Sequence, residues 1–198
     1  MATHPLDDVR LIGLSGHIGS GKTTLARYLT ERYPDVERHA FAENLRVVLA
    51  VLTGVPVERT RSADDKERVP EGWGATVGQL LQRVGSAVRQ GVNGDAWVLS
   101  LFALFDPTRH RWVVEDVRHV NEAEAVRQRG GVLIRLEGDP AGLRAQSTRD
   151  LNHESETALD DYAHFDVAVD SSLFYYCLDD MFVEIGRQLQ LKRERTTV

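Results

Sequence analysis

Residues 9–33 run from an apolar stretch through a glycine-rich turn into an amphipathic segment without interruption. Residues 9–14 have the length and apolarity of a buried strand. Residues 23–33 carry Leu25, Ala26, Leu29 and Tyr33 at helical spacing. Between them lie Gly16, His17, Ile18, Gly19, Ser20, Gly21, Lys22, Thr23 and Thr24. The run fits G-x-x-x-x-G-K-[ST] in the strand–loop–helix setting which that pattern requires. Gly16, Gly19 and Gly21 lack a Cβ, so the backbone can take positive φ and approach an anion closely. Successive N–H groups and the start of the following helix can then point at phosphate oxygens. Lys22 would reach the β- and γ-phosphates of a nucleoside triphosphate, and the Thr23 hydroxyl would ligate Mg²⁺. A plain turn before a capped helix needs one glycine or two and has no use for a lysine.

Composition narrows the setting of that loop. At 198 residues the chain can bury one α/β domain with a small insertion. No apolar stretch approaches the roughly 18 residues of a membrane span, and Met1-Ala-Thr-His-Pro5 lacks the apolar core of a signal peptide. A single cysteine, Cys177, excludes an internal disulfide and fits a reducing compartment, so the expected location is the cytoplasm. Cys177 falls in an apolar helical pattern and reads as a core residue. The net charge of −6 argues against a nucleic-acid or membrane-surface binder, which would need a basic field. Any polyanion must therefore meet a local basic cluster. Of the 24 basic residues, 21 are arginine and only Lys22, Lys66 and Lys192 are lysine. Arginine is thus background in this chain, while Lys22 stands where the loop requires lysine.

Downstream, apolar runs alternate with helical patterns. Residues 36–42 read as a second strand and 43–52 as a helix, followed by a charged, irregular loop over 58–74. Residues 75–90 form a helix with the apolar stripe Val77, Leu80, Leu81, Val84 and Val88. A second stripe is polar: Thr76, Gln79, Arg83, Ser86 and Gln90. Few lysines or glutamates sit on that face, which suits a ligand as well as it suits solvent. Asp95 is placed to cap a helix over 96–105. Strands over 111–116, 132–136 and 165–169 enclose a helix over 121–129, and Leu173, Cys177, Met181, Ile185 and Leu189 mark a closing helix. Such alternation predicts a parallel sheet covered by helices on both faces, a three-layer α/β fold of the P-loop NTPase kind. The expected division is a core of 1–42, 106–137 and 159–198, a helical insertion at 43–105, and a polar excursion at 138–158.

Asp116 ends an apolar strand, where an acid can hold Mg²⁺ directly or through water; by position alone an ordinary strand-end aspartate capping the next helix fits as well, but behind a P-loop Asp116 is read as the metal-holding acid. Arg118 would lie at the carboxyl edge of the sheet, where open α/β folds bind ligands. The 138–158 excursion carries Arg144 and Arg149 between glycine-bearing ends. Phosphoryl transfer needs positive charge on the migrating group and exclusion of water, which an arginine-bearing lid supplies. Spacing does not choose among Arg135, Arg144 and Arg149. His153-Glu-Ser-Glu156 suggests a metal or acid–base site, but more simply reads as an acidic helix start capped by Asn152 or Ser155, with no second His or Cys nearby to suggest zinc.

Phe41-Ala-Glu-Asn-Leu-Arg46, Leu80-Leu-Gln-Arg-Val-Gly85, Gly94-Asp-Ala-Trp97, Asp116-Val-Arg118 with Asn121-Glu-Ala-Glu124, and His153-Glu-Ser-Glu156 follow the loop in that order. Together they resemble the deoxynucleoside monophosphate kinase family of tailed bacteriophages, over about residues 9–170. The resemblance implies transfer of the ATP γ-phosphate to a (deoxy)nucleoside 5′-monophosphate, with Mg²⁺ accompanying ATP. It makes 43–105 the monophosphate-binding region and 138–158 the lid. Phe41, Arg46, Arg83, Asp95 and Trp97 become substrate-side candidates, and Lys22, Arg118, Arg144 and Arg149 catalytic ones. Glu43-Asn44, Ser86-Ala87 and His119-Val120 depart from the family pattern, two of the three in the region that would hold the monophosphate. Residues 11–27 also resemble the start of dephospho-CoA kinases, and the D-x-R strand end is shared with phosphomevalonate kinases of animal type. An ATP-binding regulatory module is the alternative of another class. A GTPase is disfavoured because none of the lysines follows an asparagine. Nucleic acid and membrane are not expected partners; a homodimer is as compatible with the sequence as a monomer.

Overall fold

The three central strands are mostly apolar, as a strand covered on both faces requires, with charged residues toward the carboxyl ends of two of them. In the computed structural model, β1 (Leu11–Ser15), β3 (Trp112–Val117) and β4 (Val132–Glu137) are buried along nearly their whole length. They are flanked by β2 (Glu37–His39) and β5 (Val167–Asp170), giving the order β2-β3-β1-β4-β5. Every pairing is parallel, with Leu11 opposite Trp112 on one side of β1 and Ile12 opposite Val132 on the other. The structure describes residues 4–140, 142, 144, 150–174 and 176–196.

Alternate side chains of β1 feed two cores. Ile12 and Leu14 pack with Leu25 and Leu29 of α1 (Lys22–Arg32) and with Phe182 and Ile185 of α8 (Leu178–Thr196). Leu11 faces the other way, toward Ala123 and Val126 of α6 (Val120–Gln128) and toward Trp97 and Leu101 of α5 (Ala96–Phe102). A third cluster, Leu49, Ala75, Val77 and Leu80, ties α2 (Ala42–Thr53) to α4 (Val77–Gly91) between β2 and β3. Helices therefore cover both faces, and the three-layer α/β arrangement is as the alternation predicts.

Several local expectations change. The second strand has three residues rather than seven, because the chain turns into α2 at Ala42. The irregular stretch after residue 56 contains a 3₁₀ turn, Val57–Thr60, and a short helix, α3 (Ala63–Lys66), capped by the Ser62 hydroxyl. Cys177 lies just before α8 and is half-buried, and Leu173 is 77% exposed in a 3₁₀ turn, so the closing helix begins later than its apolar spacing suggests. A short helix, α7 (Glu154–Thr157), lies within the 138–158 excursion; its cap is the His153 ring, which accepts from the Ser155 N–H, rather than Asn152 or Ser155.

Candidate functional site

The glycine loop leaves the carboxyl end of β1. Gly16 has φ +146°, and a Cβ there would lie 2.2 Å from the Leu136 carbonyl oxygen. Gly19 has φ +84°, and a Cβ there would lie 2.0 Å from an Asp139 carboxylate oxygen. Both positions therefore exclude a side chain on two grounds, backbone conformation and space. The Lys22 ammonium folds back over the loop, donating to the Gly16 carbonyl at 2.7 Å, the His17 carbonyl at 2.6 Å and the Ser20 hydroxyl at 3.3 Å. His17 packs against Asp160 and Arg135; burial, opposed by Asp160, holds its pKa below the usual value. Arg135 is buried and bonded to Ser15 and Asp160, which gives it a part in the wall behind the loop.

A cavity of about 240 Å³ opens from Lys22 and Thr23 toward α2, α4 and α5. Its lining includes Phe41, Arg46, Trp97, Asp116 and Arg118, all singled out from sequence. Arg46 is buried, donates to Glu43 at 3.1 Å, and keeps a buried Nε without a hydrogen-bond partner among the described residues. Trp97 is fixed by its indole N–H, which donates to the Gly85 carbonyl at 3.3 Å.

Two substrate-side candidates are not brought there. Arg83 is exposed and outside the lining; α4 instead presents Gln82, Ser86 and Arg89, a face turned one residue from the polar stripe. Thr76 and Gln79, the first two members of that stripe, close the helix end in a reciprocal capping box. Asp95 is exposed and accepts from Asn121 at 2.7 Å; it occupies the cap position of α5 without a side-chain cap bond. Of the excursion arginines, Arg144 donates its backbone N–H to Asp139 at 2.9 Å, beside Gly19, while Arg149 lies outside the described residues.

The end of β3 carries the densest electrostatics. Asp116 accepts from the backbone N–H groups of Phe41 at 2.7 Å and Ala42 at 3.0 Å, so it caps α2 rather than the next helix, α6. Arg118 donates to the Glu156 carboxylate and, at 3.1 Å, to the Ser155 carbonyl. Burial works against its charge, but Glu156 and Asp116 outweigh that and raise its pKa. Glu122, 1% exposed, accepts from Arg89 and from the N–H groups of Arg118 at 2.7 Å and His119 at 3.1 Å. Burial lifts its pKa to about 7 against the pull of Arg89, with Asp116 adding to the rise. His119 is lowered to about 3 by burial and by the charges of Arg89, Arg118 and His153.

Glu122 and Arg89 were not among the candidates read from sequence, and Glu156 was weighed only as part of the His153-Glu-Ser-Glu156 run. Glu122 and Glu156 sit in first turns of helices, where an acid is unremarkable, and Arg89 was masked by the arginine background. Among the described residues, no three His, Cys, Asp or Glu side chains converge as a self-sufficient metal site. The Thr23 hydroxyl and Asp116, both lining the cavity, are hard oxygen donors of the kind Mg²⁺ takes when phosphates and water supply the rest. Asp116 has lone pairs left beyond the two amides it accepts, so the set fits such an ion.

No protein-family model matches the chain. It is 28% identical over 174 residues to a protein of Acanthamoeba polyphaga mimivirus named "Putative deoxynucleotide monophosphate kinase", covering 80% of this chain and 86% of that protein. The resemblance carried by the ordered motifs is thus met by a relative bearing a name of the same kind. Among solved structures, a shikimate kinase from Bacteroides thetaiotaomicron aligns over 95% of this chain and 98% of its own, with 16% identity and a TM-score of 0.39. No helix among the described residues is long and apolar enough to cross a membrane.

Proposed function

We propose that this chain transfers the γ-phosphate of ATP to a (deoxy)nucleoside 5′-monophosphate. One observation carries the reading: a single cavity joins the lysine and threonine of a phosphate-binding loop to a basic, aromatic-lined chamber on the acceptor side. A binding module needs only the first half of that cavity. The second half has what a monophosphate requires, an aromatic surface for a base at Phe41 and Trp97 and a partly unsatisfied guanidinium for a phosphate at Arg46. Positioning and electrostatics dominate phosphoryl transfer, and an acceptor phosphate oxygen is already anionic, so no strong general base is needed.

In this reading the loop N–H groups and Lys22 hold the β- and γ-phosphates. Thr23 and Asp116 would hold the Mg²⁺ that travels with ATP, whose charge offsets that of the phosphates. Arg118 would bridge donor and acceptor, and Arg144 and Arg149 would close over them. ADP release measured with a panel of dNMPs, NMPs, dephospho-CoA and phosphomevalonate tests it, with Lys22→Ala as the blank. We expect turnover that depends on a nucleoside monophosphate. ATP binding without acceptor-dependent ADP release would return the chain to the regulatory-module reading, and turnover confined to dephospho-CoA or phosphomevalonate would change the acceptor.

A further inference from the structure

Glu156 is 6% exposed, and no role assigned above calls for a buried carboxylate beside the phosphate-binding loop. Its Oε2 accepts from the backbone N–H of Ile18 at 3.1 Å, and its Oε1 accepts from the Arg118 guanidinium. The two donors come from opposite sides of the site. Ile18 lies within the glycine loop, whose N–H groups are built to bind phosphate oxygens. Arg118 comes from the end of β3, on the acceptor side of the cavity. A carboxylate that bonds both offers anionic oxygens where a phosphate would offer them.

The same donors indicate which phosphate. The Lys22 ammonium, which in such loops reaches the β- and γ-phosphates, rests on the carbonyls of Gly16 and His17, adjacent in the chain to Ile18. The group in transfer is the one that must face the acceptor chamber, and Arg118 and Glu156 both line that cavity. Resting on the ATP site proposed above, we propose that Glu156 is a placeholder for the terminal phosphate. In the nucleotide-free chain it keeps Ile18 N–H and Arg118 paired, and ATP has to displace it whereas ADP does not. Glu156 is then a positioning residue, acting through Arg118 and the loop. Its displacement also reaches the acceptor chamber. His153, the cap of α7, is 3.2 Å from the Ser86 hydroxyl of α4, so a shift of α7 is felt on the opposite wall.

The apparent dissociation constant of a ligand is its intrinsic value divided by the fraction of molecules in which its site is open. If the carboxylate holds the gap in about nine molecules of ten, removing it tightens ATP about tenfold. Titration calorimetry with magnesium and either a non-hydrolysable ATP analogue or ADP, on the wild type, Glu156→Gln and Glu156→Ala, measures this. The expected result is a Kd for the analogue lower by about tenfold in the variants, with ADP unchanged within about twofold. A purely structural carboxylate would, when replaced, weaken both nucleotides together or change neither, and either result overturns the proposal. Should the variants lose their cooperative melting transition, the Ile18 amide resonance of ¹⁵N-labelled wild type decides. It should move further with the ATP analogue than with ADP; equal movement overturns the placeholder. Wild-type protein that binds neither nucleotide would overturn the ATP site itself, and the placeholder with it, a failure distinct from the others.

Discussion

Glu122 and His119, neighbours at the end of β3, are expected to cancel each other's effect on stability, and Glu122→Gln should expose the cancellation. Glu122 titrates near 7 in the folded protein against a usual 4.5, because burial disfavours its charge. The folded state therefore holds a proton that the unfolded state has lost, and this contribution falls as pH rises through 7. His119 titrates near 3 against a usual 6.5, again through burial first. Here the unfolded state takes up the proton, so stability is full above 6.5 and falls as pH drops toward 3. Integrating each between pH 8 and pH 5, Glu122 contributes about 2.5 kcal/mol more at the lower pH and His119 about 2 kcal/mol less. Together the pair leaves little net slope of its own. Removing the titration at 122 leaves the histidine slope uncompensated, and Glu122 is not among the groups that shift His119. Urea unfolding at pH 5, 6.5 and 8 should show the wild-type-minus-variant difference changing by about 2.5 kcal/mol, a midpoint shift of about 1 M. Parallel profiles for the two proteins, within about 0.5 kcal/mol, would refute the reasoning.

The remaining expectations concern the loop, the acceptor chamber and the frame. Gly19→Ala, strained at φ +84° and driven against Asp139, should abolish ATP binding by calorimetry, and an alanine bound as tightly as glycine would show that the loop has room to relax. Arg46→Met should raise the monophosphate KM by roughly 10–100-fold, the worth of a charge-assisted hydrogen bond. Arg83→Met, on the exposed side of α4, should change it by less than about twofold, so equal effects at the two positions would place the acceptor elsewhere. Arg111, 7% exposed, donates to the Leu6 carbonyl at 2.8 Å and the Val9 carbonyl at 3.0 Å, and lies 4.3 Å over the Tyr33 ring. Arg111→Met removes both bonds, leaving the Leu6 carbonyl only the Val9 N–H at 3.1 Å, and should cost about 3 kcal/mol, or roughly 6–12 °C in Tm by calorimetric melting.

Legibility followed the range of the interaction. The glycine loop is written in consecutive residues, because its function depends on φ angles and N–H directions that neighbouring residues set; Gly16, Gly19 and Lys22 were therefore readable from their spacing. The apolar stripe of α4 was readable for a similar reason, since a 3.6-residue period is a local property. Its polar face was only partly legible, Ser86 lining the cavity and Arg83 not, because the period fixes the angle between stripes and not which stripe meets the cavity. Packing against α2 settled that, bringing Gln82, Ser86 and Arg89 inward and leaving Arg83 outside.

The acids divide in the same way. Asp116 stood out as a strand-end residue, but its bonds to Phe41 and Ala42 span 75 and 74 residues of chain, and nothing near it in sequence announces them. Glu156 looked like an ordinary first-turn acid until α7 was set against the loop, 138 residues away from Ile18. By itself the sequence determined that a strand, a glycine-rich loop and a helix follow one another at residues 9–33, and that strands and helices alternate behind them, because backbone conformation and hydrophobic period are properties of neighbours. Only the tertiary structure decided which arginine faces the cavity, which acid caps which helix, and which carboxylate lies between Ile18 and Arg118. Those assignments depend on burial and charge pairing among residues that meet only when the sheet has formed.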